Sequence, residues 1–209
     1  MEQLWTPGGT YRRVDYATEN EFEAAVIELQ EALFGPGCVY LDCKRHIGKR
    51  GYQINIPDGY LLDLSNPTPQ LYVVENELQT HHVTKHIAVQ ILEFSLAFEA
   101  DPRKVEQVLY EEITRDDAVL AKCQAYVDAN NFRNLDNLLD ALVHQSKFRA
   151  LVIIDEIPPK LEHILNTKFQ FPTEVLELAK YQDEKGETSY RFRSFQDGIQ
   201  DDLKPAKPT

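Results

Sequence analysis

From Thr18 onward the apolar residues recur at helical spacing. Phe22, Ala25, Val26, Leu29 and Leu33 share one face. Thr18-Glu19-Asn20-Glu21 is a capping box that starts this helix, and Gly35-Pro36-Gly37 stops it. The period then shortens. Cys38 to Cys43 predicts a strand, and Ile54 to Leu64 a second, with Ile56, Leu61, Leu62 and Leu64 apolar and Asp58 near its start. Asn66-Pro67-Thr68-Pro69 is a turn, because two prolines fix φ and cannot donate to a ladder. Leu71-Tyr72-Val73-Val74 opens a third strand, rich in β-branched and aromatic residues.

Helical spacing returns from about Thr80 to Ala100, with Val83, Ile87, Ile91, Phe94, Ser95 and Phe98 on one side. Asp101-Pro102 starts another helix, through Val105, Val108, Leu109 and Ile113. Residues 116–128 and 134–146 predict two more, so that about 101–146 forms a helical block inserted on the core. The unbroken apolar run Phe148 to Asp155 predicts a central strand covered on both faces. Pro158-Pro159 precedes a helix through Leu161, Ile164 and Leu165. Val175–Leu178 and Tyr190–Arg193 alternate like an antiparallel pair around Glu184-Lys185-Gly186-Glu187. Residues 1–17 are expected to be irregular, 18–195 to form one domain, and 196–209 a disordered tail.

The third strand ends in Glu75-Asn76-Glu77. Side chains alternate along a strand, so Glu75 and Glu77 share a face and Asn76 takes the other. Two carboxylates after a half-buried apolar run repel unless something positive lies between them. A hairpin partner can bring Asp58 to the same face, and three converging carboxylates suit a hard cation such as Mg²⁺ or Mn²⁺. Lys44, at the end of the first strand, is a candidate cation opposite Glu75 and Glu77. His82, His86 and Gln90 fall at i, i+4 and i+8 of the following helix and face one cleft. Zinc is not expected there, since a third ligand and the Glu of an HExxH frame are missing.

Pro57-Asp58, a strand-sized gap and Glu75-x-Glu77 resemble the PD-(D/E)XK nuclease superfamily. Gln90-Ile91-Leu92-Glu93-Phe94 is similar to the Gln-xxx-Tyr motif of several of its subfamilies, with Phe in place of Tyr. The resemblance covers about residues 18–99. It implies an α/β fold with a restriction-endonuclease-like αβββαβ core, a mixed central sheet and the helical block as an insertion. It further implies that Asp58 and Glu75 hold Mg²⁺ or Mn²⁺, joined by a Glu of the first helix, Glu19 first and Glu23 as the alternative. The family's Lys position carries Glu77, as in members with a Glu-x-Glu site, so Glu77 either holds a second metal or accepts the water's proton. His86 and Gln90 become supports behind the metal ligands or contacts to phosphate, with Lys44 beside them. The implied activity is endonuclease-type hydrolysis of DNA phosphodiester bonds, leaving a 5′-phosphate.

Composition modifies this expectation. Hydrophobic residues are 43% of the 209, enough for a packed core. A formal net charge of −12 repels nucleic acid at a distance, so DNA binding needs either a locally basic cleft or a partner. Lys44-Arg45-His46, Lys49-Arg50, Lys85-His86, Arg191 and Arg193 are candidates for such a cleft. Two further readings stay open: a non-catalytic nuclease-fold module beside a separate cleaving subunit, and an acidic interaction or scaffold protein. A homodimer or a partner subunit fits either. Three cysteines without CxxC spacing, no bilayer-length apolar run and no signal-peptide core at the N-terminus predict a cytoplasmic protein without a membrane contact. P-loop and GxGxxG nucleotide motifs are absent.

Overall fold

The computed structural model describes residues 3–7, 9–47, 56–79 and 83–196. They form an α/β protein with a mixed sheet and six helices. The strands are β1 (Gln3–Thr6), β2 (Gly9–Arg13), β3 (Cys38–Asp42), β4 (Gly59–Asp63), β5 (Gln70–Glu77), β6 (Ala150–Ile154), β7 (Thr173–Gln182) and β8 (Thr188–Phe192). The helices are α1 (Glu19–Phe34), α2 (Val83–Ala100), α3 (Pro102–Arg115), α4 (Asp117–Ala129), α5 (Leu135–Val143) and α6 (Leu161–Lys168).

Helix α1 begins as its capping residues dictate. Thr18 Oγ1 accepts the Glu21 N–H at 3.2 Å, while the Glu21 carboxylate reaches back to the Ala17 N–H at 2.7 Å. Gly35 ends it with φ 82°, a conformation that a side chain disfavours. The chain then runs β3–β4–β5 as an antiparallel meander, and β5–β6 and β6–β7 pair parallel. Parallel neighbours need a crossover. Helices α2 to α5 supply the first and α6 the second.

Strand periodicity sorts the core into two layers. Val39, Leu41, Tyr60, Leu62, Leu71, Val73, Val152 and Ile154 face the layer built with α2 to α6. Tyr40, Leu61, Tyr72, Val74, Leu151 and Ile153 face α1. Strand β6 is buried along its whole length, as its unbroken apolar run predicts. The block at 101–146 is thus no appendage: Val105, Leu109, Tyr126, Leu138 and Leu142 close the core over one face of the sheet.

Three expectations change. The segment 1–17, expected to be irregular, carries the β1–β2 hairpin, which joins the sheet where Arg12 and Arg13 pair with Gln182 and Tyr181 of β7. The second core strand begins at Gly59, so Ile56 stands outside it and exposed; residues 51–55 lie outside the described set. Val175–Leu178 does not pair with Tyr190–Arg193 as a whole: the first half of β7 (Thr173–Glu177) lies parallel against β6, and its antiparallel pairing with β8 runs from Leu178 to Gln182. Of the tail 196–209, expected to be disordered, residues 197–209 lie outside the described set. The three cysteines are free and buried. No helix of the described residues is long and apolar enough to cross a membrane.

Candidate functional site

The site forms where β3 and β5 end and β4 begins. Alternation along β5 places Leu71 and Val73 toward α2, and continues with Glu75 and Glu77 on that same face. Both glutamates are buried, Glu75 to 5% exposure. Helix α2 meets them with residues one turn apart. Gln90 Nε2 donates to Glu75 Oε1 at 2.6 Å, and His86 Nδ1 lies 2.8 Å from Glu77 Oε2. Asn76 takes the opposite face, where its side-chain amide donates to the Tyr40 hydroxyl at 3.2 Å.

Asp58 is held from both sides. Its carbonyl accepts the Cys43 N–H at 3.1 Å, and its own N–H donates to the Val74 carbonyl at 3.2 Å. Its carboxylate accepts the Asn76 N–H at 2.8 Å. The next residue must be glycine: a Cβ on Gly59 would sit 2.5 Å from the Leu41 carbonyl oxygen. Lys44, just past β3, closes the cluster. Its ammonium lies 2.6 Å from Glu23 of α1 and 3.5 Å from Asp58. Lys44 is therefore the cation between the carboxylates, although its direct contacts are Glu23 and Asp58 rather than Glu75 and Glu77.

Glu23, not Glu19, ties the first helix to this cluster. Glu19 lies one turn earlier and exposed, and no hydrogen bond or ion pair among the described residues links it to the site. Burial pushes the Glu75 carboxyl up to about 9, and repulsion from Asp58 and Glu77 adds to the shift. Gln90 and Lys44 pull in the other direction. Burial also raises Asp58 above the usual range, against the opposing Asn76 N–H and Lys44. Burial opposes the charge on Lys44, but Glu23 and Asp58 outweigh it and hold the ammonium above its usual value.

Such a pocket calls for a proton or a cation. Glu75 Oε2 is buried and has no hydrogen-bond partner. Among the described residues no three His, Cys, Asp or Glu side chains are already grouped as a metal cage. Asp58 and Glu75, whose charges repel each other, are the two carboxylates that could hold a cation. Mg²⁺ commonly binds through one or two carboxylates and fills its remaining positions with water and substrate phosphate. Glu77 is engaged by His86, and Glu23 by Lys44.

The surrounding basic residues are mostly paired within the chain. Arg45 contacts Glu111 at 2.6 Å and Glu112 at 3.1 Å, and Arg191 contacts Glu177 at 2.9 Å. Arg13 binds the Asp155 carbonyl at 2.8 Å and Glu156 at 3.3 Å. His82, Lys49 and Arg50 lie outside the described residues. Tyr40 and Asn76 are site residues that the sequence reading missed. The signal for Asn76 was a polar residue two positions after Val74 on the face toward α1; Tyr40 belongs to the apolar cluster there and gave none.

Compared with family models, curated proteins and solved structures, the chain shows no match.

Proposed function

We propose that this protein is a metal-dependent phosphodiesterase acting on DNA, built on a restriction-endonuclease-like core. The order α1–β3–β4–β5–α2 followed by β6 supports the αβββαβ core, with α3 to α5 as the insertion. The observation that carries the activity is Glu75: a buried carboxyl with one unpartnered oxygen, beside Asp58, in a pocket that disfavours its charge. A divalent cation offsets both charges at once.

Asp58 and Glu75 are the residues to hold Mg²⁺ or Mn²⁺, which when bound lowers the pKa of water and stabilises charge on the phosphate and the leaving oxygen. Gln90 fixes Glu75 through Oε1 and leaves Oε2 for the ion. The Asn76 N–H and Lys44 orient Asp58. The attacking water must lose a proton as its oxygen bonds to phosphorus and the P–O3′ bond breaks. Glu77, at the position where the superfamily has Lys, accepts that proton, and His86 Nδ1 stabilises or relays it. His86 is also the more exposed partner, with 62% of its side chain exposed against 10% for Glu77.

A second reading is favoured by the same hydrogen bonds. Gln90 and His86 already engage Glu75 and Glu77, and a Glu75 held near 9 is protonated at neutral pH without any metal. A non-catalytic module of the same fold, with the acidic −12 surface serving a protein partner, accounts for this. Incubation of supercoiled plasmid and short single strands with Mg²⁺ or Mn²⁺ separates the two. Metal-dependent nicking that Asp58→Asn and Glu75→Gln both abolish supports the nuclease. No cleavage by folded wild type supports the module.

A further inference from the structure

We propose that the outer face of α2 is the seam of a symmetric dimer, in which two copies of this chain pair their α2 helices antiparallel. The inner face of α2 is fully used: Ile87, Ile91, Phe94 and Phe98 are buried in the core. Its outer face carries Lys85, Val89, Leu92, Leu96 and Glu99, in steps of four, three, four and three residues. That is the spacing at which one helix packs along another. Val89 is 46% exposed, Leu92 48% and Leu96 57%. Of the seven large apolar side chains exposed among the described residues, three therefore lie in this one stripe. A stripe of this kind costs solubility unless something covers it.

The two ends of the stripe identify the occupant. Lys85 stands at one end and Glu99 at the other, and neither has an ion-pair partner among the described residues. A parallel pair of copies sets lysine beside lysine and glutamate beside glutamate. An antiparallel pair centred on Leu92 sets Lys85 against Glu99 of the second copy at both ends. It also brings Val89 against the second copy's Leu96, and Leu92 against its own equivalent. The stripe is thus its own complement, as a two-fold interface requires. Antiparallel helix dipoles add to the same preference. The helix is 18 residues long, about 27 Å, enough for the whole stripe to engage at once. Each copy carries a formal charge of −12, so long-range repulsion opposes assembly and salt that screens it favours the dimer.

This proposal does not depend on the phosphodiesterase reading, since no seam residue belongs to the carboxylate cluster. Its test is the mass of the full chain in solution, measured by sedimentation across the micromolar range in roughly physiological salt. The expected result is a dimer that Leu92→Glu converts to a monomer with an unchanged circular dichroism spectrum. Lys85→Glu turns two attractions into two repulsions. Two exposed ion pairs, each worth up to about fivefold, are lost and two repulsions gained, so this variant raises Kd by roughly tenfold or more. Adding Glu99→Lys to Lys85→Glu restores the wild-type Kd. A monomeric wild type at all concentrations overturns the proposal. So does a dimer indifferent to Leu92→Glu, or a double variant no tighter than the single one.

Discussion

Replacing Glu75 by Gln isolates the feature on which the site rests. In the folded chain the Glu75 carboxyl titrates at about 9 against 4.5 in the ordinary state, because burial disfavours its charge and Asp58 and Glu77 repel it. Between those values the folded state binds one proton more than the unfolded state. The wild type therefore loses stability as pH rises through that window, at about 1.36 kcal/mol per pH unit. By pH 7.5 the loss reaches about 4 kcal/mol, none of which applies to an amide. Gln keeps the shape and still accepts the Gln90 N–H. Its own NH₂ replaces the unpartnered Oε2 and remains without an acceptor, a cost of about 1–3 kcal/mol. The net gain at pH 7.5 is roughly 1–3 kcal/mol, or about 3–9 °C in Tm for a chain of this size. Thermal unfolding followed by circular dichroism, with a chelator present, measures it at a series of pH values. The variant's advantage should grow steadily from pH 5 to pH 8, while its metal-dependent activity disappears. A Tm difference independent of pH, or one that favours the wild type more as pH rises, refutes the reasoning.

Lys44→Ala removes the cation between Glu23 and Asp58. Asp58 and Glu75 should then hold their protons to higher pH, so Mn²⁺ binding followed by titration calorimetry shifts to higher pH while the fold is kept. Thr18→Ala deletes the side chain that caps α1 and should lower unfolding free energy by about 1 kcal/mol in urea, with the m-value unchanged. Ile153→Ala opens a cavity in β6 under α1 and should cost about 2–5 kcal/mol by the same measurement.

Some of this molecule is legible in the chain because local signals agree with tertiary ones. Helix α1 announces both ends, through Thr18 and Gly35, and its apolar face is the one that packs. Strand β6 announces a central position because no polar residue interrupts it. The convergence of Asp58 with Glu75 follows from strand alternation and a short hairpin. Other features depend on distant partners. The β1–β2 hairpin is half-polar throughout and is fixed by backbone pairing with β7, some 170 residues away; the Pro7-Gly8 dipeptide was the one local sign of it. The choice between Glu19 and Glu23 fails for a similar reason. Periodicity gives the face of a helix, but its placement along the sheet depends on what the facing chain offers. Here that is Lys44, and it lies opposite Glu23.

The most direct test of the central claim is calorimetric titration of the metal-free protein with Mn²⁺ at pH 7.5, in two buffers of different ionisation enthalpy. With Glu75 titrating at about 9, the folded protein enters the experiment protonated there. The expected result is saturable binding in the micromolar to millimolar range, with about one proton released per ion. Asp58→Asn should weaken this binding severely, and Glu75→Gln should abolish the proton release. No saturable heat in the wild type, or binding that both substitutions leave intact, would contradict a cation site at Asp58 and Glu75.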